Sequence, residues 1–312
     1  YIGRYGRELQ MHYDDPWELQ REVLQHILQT NRSTAFGREH DFYDLIKEPE
    51  RFAERVPIRS YEEHLPYLQR ILGGEKRVLS REEAEYISTT SGTTGAIKYL
   101  PVSHNAIRDI HLKGSWMSLA CVYNKDPEVK VFGNKNLLIG GCLKGTHPVL
   151  GLPQGDISAV IINSIPRIMR SFYIPDIELA TAVNYEEKIE KIAQLAAKEP
   201  GITVLGGVPT WNLPLYRRIL ELHGGDNMLD VWPEARVFKH GGVNFAPYRA
   251  QFERLFPSEN FIFQEIYNAT EGFFAVQDKD DLRTMLLLLN AGVYYEFVRW
   301  QDYQQQDFGE AV

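Results

Sequence analysis

The chain has 312 residues, 44% of them hydrophobic and 24% charged, which is room for about two domains of ~150 residues or one large α/β domain, with a core that needs no disulfide or metal to hold it. A formal net charge of -8 without any strong basic run argues against nucleic acid and anionic membrane surfaces as partners. The two cysteines, Cys121 and Cys142, form no Cys-x-x-Cys pair, and no apolar run approaches the ~20 residues of a membrane span, so a cytoplasmic protein is expected.

Asp15-Pro16-Trp17-Glu18 reads as a helix start, with Asp15 as cap, Pro16 in the first turn and Glu18 completing a capping box. Leu19, Val23 and Ile27 follow on one face, and the helix should run to about Asn31. A second helix is expected over residues 61–72, ended by Gly73-Gly74. Residues 85–88 read as a strand that enters the small-residue loop 89–95. Residues 98–102 read as the returning strand, after which Ser103 caps a long helix to about Tyr123. Leu137-Leu138-Ile139 is a short buried strand. The next helix, 185–198, turns Ile189, Ile192 and Ala196 inward. A strand over 201–205 precedes a helix striped by Trp211, Leu215, Ile219 and Leu222. Residues 236–239, 261–266, 273–276 and 294–298 are further expected strands, and the apolar run 285–289 suits a buried one. Strands alternating with helices predict an α/β fold with a mostly parallel sheet.

The most informative segment is Thr89 to Lys98. Seven consecutive small or hydroxyl residues between two strands have little to offer a core. Gly92 and Gly95 permit backbone conformations closed to other residues. Their N–H groups, with the hydroxyls of Thr90, Ser91, Thr93 and Thr94, can wrap an anionic phosphate, and Lys98 adds a positive charge. The competing reading is a flexible hairpin turn. The spacing is not that of a Walker loop, because two residues separate Gly92 from Gly95 and Tyr99 follows Lys98; nor is there a dinucleotide Gly-x-Gly-x-x-Gly.

A second motif, Tyr267-Asn268-Ala269-Thr270-Glu271-Gly272, follows the apolar strand 261–266. A Thr-Glu pair at a strand end is where an α/β fold places ligand chemistry. Alone it is a weak signal; in order behind the first loop it is a strong one. Gly241-Gly242-Val243 follows strand 236–239, and its glycines either allow close approach to a flat base or make a plain turn. His240 reads as a turn or packing residue. No Gly-x-Ser-x-Gly elbow or His-Glu-x-x-His motif supports a hydrolase or zinc protease, and His104 and His111 have no third ligand nearby.

The run Thr90-Ser91-Gly92-Thr93-Thr94-Gly95-x-x-Lys98 resembles the phosphate-binding signature of adenylate-forming enzymes. That superfamily usually continues Pro-Lys-Gly, whereas Ile97 and Tyr99 flank the lysine here. With this departure the chain resembles the auxin-responsive Gretchen Hagen family of acyl acid-amido synthetases, in particular its bacterial members. The likeness extends to Thr34-Ala35-Phe36-Gly37, Gly155-Asp156-Ile157-Ser158 and Gly206-Gly207-Val208-Pro209-Thr210-Trp211. The resemblance implies a large N-terminal adenylate-forming domain over 1–312, luciferase-like, with mixed and parallel sheets flanked by helices. It implies that this domain is incomplete and that the small C-terminal domain is absent, since neither a ribose-binding Asp segment nor the catalytic Lys of that domain is found. It further implies that Tyr267 stacks on adenine, Thr270 bonds the α-phosphate, Glu271 holds Mg²⁺ and the Gly241–Val243 segment covers the other adenine face. ATP and Mg²⁺ are thus the implied cofactors, and a small carboxylic acid and an amine such as an amino acid the implied partners. Arg108, Trp116, Trp211 and Phe245 are candidate walls of the acid pocket, each with core packing or surface exposure as its alternative. An acyl-CoA ligase sharing the first half-reaction, or a non-catalytic nucleotide or acyl-acid binder, are the competing functions.

Overall fold

Eleven strands fall into two sheets in a computed structural model that describes residues 2–91, 97–279 and 284–305. In chain order they are β1 (Ala84–Ser91), β2 (Ile97–Ser103), β3 (Lys135–Leu138), β4 (Leu143–Thr146), β5 (Pro153–Gly155), β6 (Tyr173–Ile174), β7 (Ile202–Gly207), β8 (Val237–His240), β9 (Ile262–Ala269), β10 (Gly272–Val276) and β11 (Leu286–Leu287). The smaller sheet has the order β2-β1-β5-β4, the larger one β11-β10-β9-β8-β7-β3-β6. In the larger sheet β6, β3, β7, β8 and β9 run parallel, and β10 and β11 close one edge antiparallel. This is the α/β fold expected from the alternation of strands and helices, with the mixed and parallel sheets that the family resemblance implied.

The main core lies on one face of the larger sheet, under the helices Tyr185–Ala196 and Pro209–His223. Ile192, Ile202, Leu205, Leu215, Tyr216 and Phe238 are fully buried there. Trp232, also fully buried, satisfies its indole N–H on the Ala196 carbonyl at 2.9 Å, so the ring adds apolar area without an orphaned donor. The helix Lys113–Lys125 covers the opposite face through Met117, Ala120 and Cys121 against Phe273 and Val276. Gly114 lets it approach: a Cβ there would lie 2.3 Å from the Phe273 ring.

Most expected helices form where sequence placed them. Asp15 caps the helix Pro16–Asn31 by accepting from the Glu18 N–H at 3.1 Å. The Glu18 carboxylate grips Arg21 instead of closing a capping box. A reciprocal box does form at Ser60 and Glu63, opening Tyr61–Leu72. Three expectations are corrected. The helix after Ser103 is not uniform: residues Ala106–Leu112 are π-helical before α geometry resumes at Lys113. Residues 294–298 are not a strand, because the Tyr295 N–H is taken by the Gln20 side chain rather than by a neighbouring strand. Of the run 285–289, only Leu286 and Leu287 pair, with β10.

Candidate active site

The parallel strands of the larger sheet end along one edge. β7 ends in Gly206-Gly207, β8 is followed by Gly241-Gly242, and β9 runs on into the hairpin turn Thr270-Glu271. The crevice beyond the carboxyl ends of parallel strands is where α/β folds place ligands, since turns there are free to vary while the sheet holds them rigidly. Gly241 is required by close packing: a Cβ would sit 2.3 Å from the Ile266 carbonyl oxygen. Gly242 has φ +82°, a conformation that side chains disfavour.

The second motif is less a strand-to-turn junction than a hairpin. β9 continues through Ala269, and Gly272 opens β10 directly opposite. Tyr267 projects from β9, 58% exposed, with its ring 5.0 Å from that of Phe274. Glu271 is exposed at the tip, with no ion pair to another described residue. Thr270 faces inward and its hydroxyl oxygen lies 3.0 Å from that of Ser88 on β1. Ser88 is fully buried. This contact joins the two sheets and brings the strand that leads into the small-residue loop against the Thr-Glu turn, 182 residues further along the chain.

On the loop side, Thr90 stands opposite Lys98 and Ser91 opposite Ile97 across β1 and β2. Gly92, Thr93, Thr94 and Gly95 lie outside the described residues, as does the side chain of Ser91. The Lys98 ammonium sits 4.5 Å from the centre of the Tyr61 ring, a cation–π contact that holds the charge at the β2 surface.

Behind the hairpin stands His111, a residue that motif reading left aside. It lies on the π-helical segment, almost wholly buried, and its Nδ1 is 3.0 Å from the Asn268 side-chain oxygen. Burial lowers its pKa, so the neutral ring donates from Nδ1 and Asn268 accepts. The extra residue per turn of π geometry shifts which side chains face the hairpin, and 3.6-residue periodicity carries no such signal.

The four candidate walls are not brought together. Arg108 is half-exposed and paired with Asp109 at 2.6 Å. Trp116 stacks between Tyr5 and Phe132, with ring centres 6.2 and 5.9 Å away. Trp211 packs against the main core. Phe245, 5% exposed, stacks on His240 at 3.8 Å and belongs to that core too. The cavity that does reach Thr270 and Glu271 opens on another flank. It has a volume of about 570 Å³ and runs between Leu100 and Val102 of β2, Ala106 and Ile110 of the π segment, and Ile27 of the second helix.

A second organised element holds the turn after β3. Lys188, 2% exposed, donates to the Gly140 and Gly141 carbonyls, both at 2.8 Å. Asp156 accepts from the Cys142 N–H at 3.0 Å, and Ser158 from the Gly141 N–H at 2.8 Å. The run Gly155-Asp156-Ile157-Ser158 therefore serves to fix the crevice edge.

Among the described residues no group of three or more His, Cys, Asp or Glu side chains could cage a metal. The exposed carboxylate of Glu271 is of the type that suits Mg²⁺, which is commonly held by one or two carboxylates together with substrate phosphates and water.

A largely parallel seven-stranded sheet and a mixed four-stranded sheet, in contact at a Thr-Glu hairpin, define the class: the fold is that of the adenylate-forming enzymes. An open-conformation 2-hydroxyisobutyryl-CoA ligase shares it with a TM-score of 0.53 at 13% identity, over 86% of this chain and 57% of that one. The AtGH3.15 acyl acid amido synthetase, solved in complex with 2,4-DB, matches with a TM-score of 0.70 at 16% identity, over 88% of this chain and 56% of that one. Residues 6–192 and 178–261 match the GH3 family N-terminal domain, and the chain belongs to the GH3 family. Two Arabidopsis thaliana relatives, the indole-3-acetic acid-amido synthetases GH3.5 and GH3.17, are 33% and 32% identical over 84 and 85 residues, each match covering 27% of this chain and 14% of the relative. The chain spans little more than half the length of the solved relatives.

Proposed function

We propose that this chain is the acid-activating part of an ATP-dependent acyl acid-amido synthetase. The observation that carries the reading is the 3.0 Å contact between Ser88 and Thr270, which sets the strand leading into the small-residue loop against the Thr-Glu turn in a chain of the GH3 family. In the first half-reaction a carboxylate oxygen attacks the α-phosphorus of ATP. The bond to the bridging oxygen breaks, pyrophosphate leaves, and an acyl-adenylate forms. In the second, an amine nitrogen attacks the acyl carbon, AMP leaves with the former bond pair, and the nitrogen loses a proton to give an amide.

The physical difficulty is charge, because an anion attacks an anionic phosphate. Donors fixed in advance at the developing charge lower that barrier without reorganising at the moment of reaction. The Thr270 hydroxyl is such a donor, held in direction by Ser88. Lys98 supplies a positive charge once drawn from Tyr61. The loop from Thr90 to Gly95 supplies backbone N–H groups. Mg²⁺, when bound through Glu271 and the phosphates, neutralises further negative charge. Tyr267 offers an exposed ring for the adenine, and the Gly241–Val243 segment its other wall; Asn268, Ala269 and Gly272 set the hairpin that holds both in place. The chain is read as a large adenylate-forming domain, with acceptor choice made by a smaller C-terminal domain. A cytoplasmic, bacterial setting belongs to the same reading.

The test is carboxylate-dependent exchange of labelled pyrophosphate into ATP, over a panel of aryl and alkyl acids. Exchange that needs both acid and Mg²⁺ is expected. No exchange with any acid, together with no rise in melting temperature on adding ATP, rejects the reading. Mass analysis of products formed with amino acids or with CoA then separates amide synthesis from thioester synthesis.

A further inference from the structure

Gln20 lies on the helix Pro16–Asn31, far in sequence from every motif, and is 8% exposed. Its amide makes three bonds to one segment. Nε2 donates to the carbonyls of Leu289 at 2.6 Å and Val293 at 3.0 Å, and Oε1 accepts from the Tyr295 N–H at 2.7 Å. A buried amide engaged at both ends is costly to disturb, because loss of either end strands buried partners. The N-terminal helix Ile2–Asp14 assists from the same side. Asn290 donates to Glu8 at 3.2 Å, and Lys113, paired with Glu8 at 3.4 Å, donates to the Asn290 carbonyl at 2.7 Å.

The segment held in this way meets the site at two points. Gly292, with φ +74°, lies against Ile110, where a Cβ would come within 2.9 Å of the side chain, and it lines the cavity that reaches Thr270 and Glu271. Tyr295 donates its hydroxyl to the Phe274 carbonyl at 3.2 Å. Its ring centre is 6.4 Å from that of Phe274, which in turn stands 5.0 Å from Tyr267. An aromatic row thus runs from Gln20's segment to the exposed Tyr267 ring.

We infer that Gln20 is a positioning residue for the nucleotide face: through residues 289–295 it fixes the aromatic row on which Tyr267 stands. This rests on the adenylation reading, in which Tyr267 receives the adenine. The linkage touches the base side of the nucleotide and not the phosphate side, and that asymmetry makes it testable. Melting temperatures are measured, and AMP and pyrophosphate are titrated calorimetrically into the wild-type chain, Gln20→Met and Gln20→Glu. Gln20→Met keeps the length and loses all three bonds. Gln20→Glu keeps the acceptor for Tyr295 and turns a carboxylate on two carbonyls. Both variants should bind AMP about tenfold more weakly, the scale of disturbing one stacking contact, and pyrophosphate as wild type does. Unchanged AMP binding overturns the inference. So does equal weakening of both ligands with a fall in melting temperature, which is the mark of a merely structural role. If neither Gln20 variant folds, Tyr295→Phe, which spares the buried amide, carries the same prediction at smaller size, and unchanged AMP binding there overturns it. A wild-type chain that binds no AMP overturns the adenylation reading itself, and this inference with it.

Discussion

Thr270 has two neighbours that no local pattern ties to it. Its hydroxyl meets Ser88, and the motif residue two places earlier, Asn268, meets His111. Replacing Thr270 by Val keeps the shape and removes the donor. We expect pyrophosphate exchange to fall about 100-fold, the usual cost of one donor at developing charge, and the unliganded protein to lose about 1–3 kcal/mol of stability, because the buried Ser88 hydroxyl loses its partner. An unaltered exchange rate would falsify the role of Thr270. His111→Leu leaves the half-buried Asn268 side-chain oxygen without its donor, which should destabilise the fold by about 1 kcal/mol; urea denaturation measures it. The motif Tyr267 to Gly272 was legible because its residue types are chemically unusual after an apolar strand. Ser88 and His111 were not, since a serine in a strand and a histidine on a helix acquire meaning only from what folding sets beside them.

At the scale of elements, the close packing of the helix Lys113–Lys125 on β10 depends on Gly114. Gly114→Ala puts a methyl group into the Phe273 ring, which is fully buried and has little room to yield. Overpacking of this kind costs about 1–3 kcal/mol, read as a lower denaturant midpoint with an unchanged slope. An unaffected midpoint would show that the helix can slide away from the sheet. The helices at 16, 61, 185 and 209 were visible as caps and apolar stripes, because those signals are local. The π-helical turn at 106–112 and the absence of a strand at 294–298 were not. Both involve distant partners: the Asn268 side chain bonds His111 of the π segment, and the Gln20 side chain takes the Tyr295 N–H that would otherwise seek a neighbouring strand.

At the scale of the whole molecule, three histidines are buried in a way that couples folding to pH. Burial lowers the pKa of His12, His111 and His240, the last to about 3, from an ordinary value of 6.5. The unfolded chain therefore takes up these protons on acidification while the folded one resists. The stability these groups confer is present above pH 6.5 and is lost progressively as pH falls from there towards 3. Melting temperatures recorded at pH 7.5 and pH 5 should differ, with the lower value at pH 5, and His240→Phe should narrow the gap. Equal or higher stability at pH 5 would contradict the burial of these rings.

The sequence by itself determined most of the longer helices and strands, the class of fold, and the two motifs, because periodicity, caps and runs of small residues act over a few neighbouring positions. The family likewise followed from residue patterns, and residues 6–261 match it. Only the tertiary structure decided what lies beside the motifs. It packed Trp116, Trp211 and Phe245 against hydrophobic cores, since large apolar rings gain most by leaving water. It opened a cavity along β2 and the second helix, and it drew Ser88 to the Thr-Glu hairpin and Gln20 to the segment 289–295. Those pairings join residues 182 or more positions apart, a distance over which side-chain chemistry has no local imprint on the sequence.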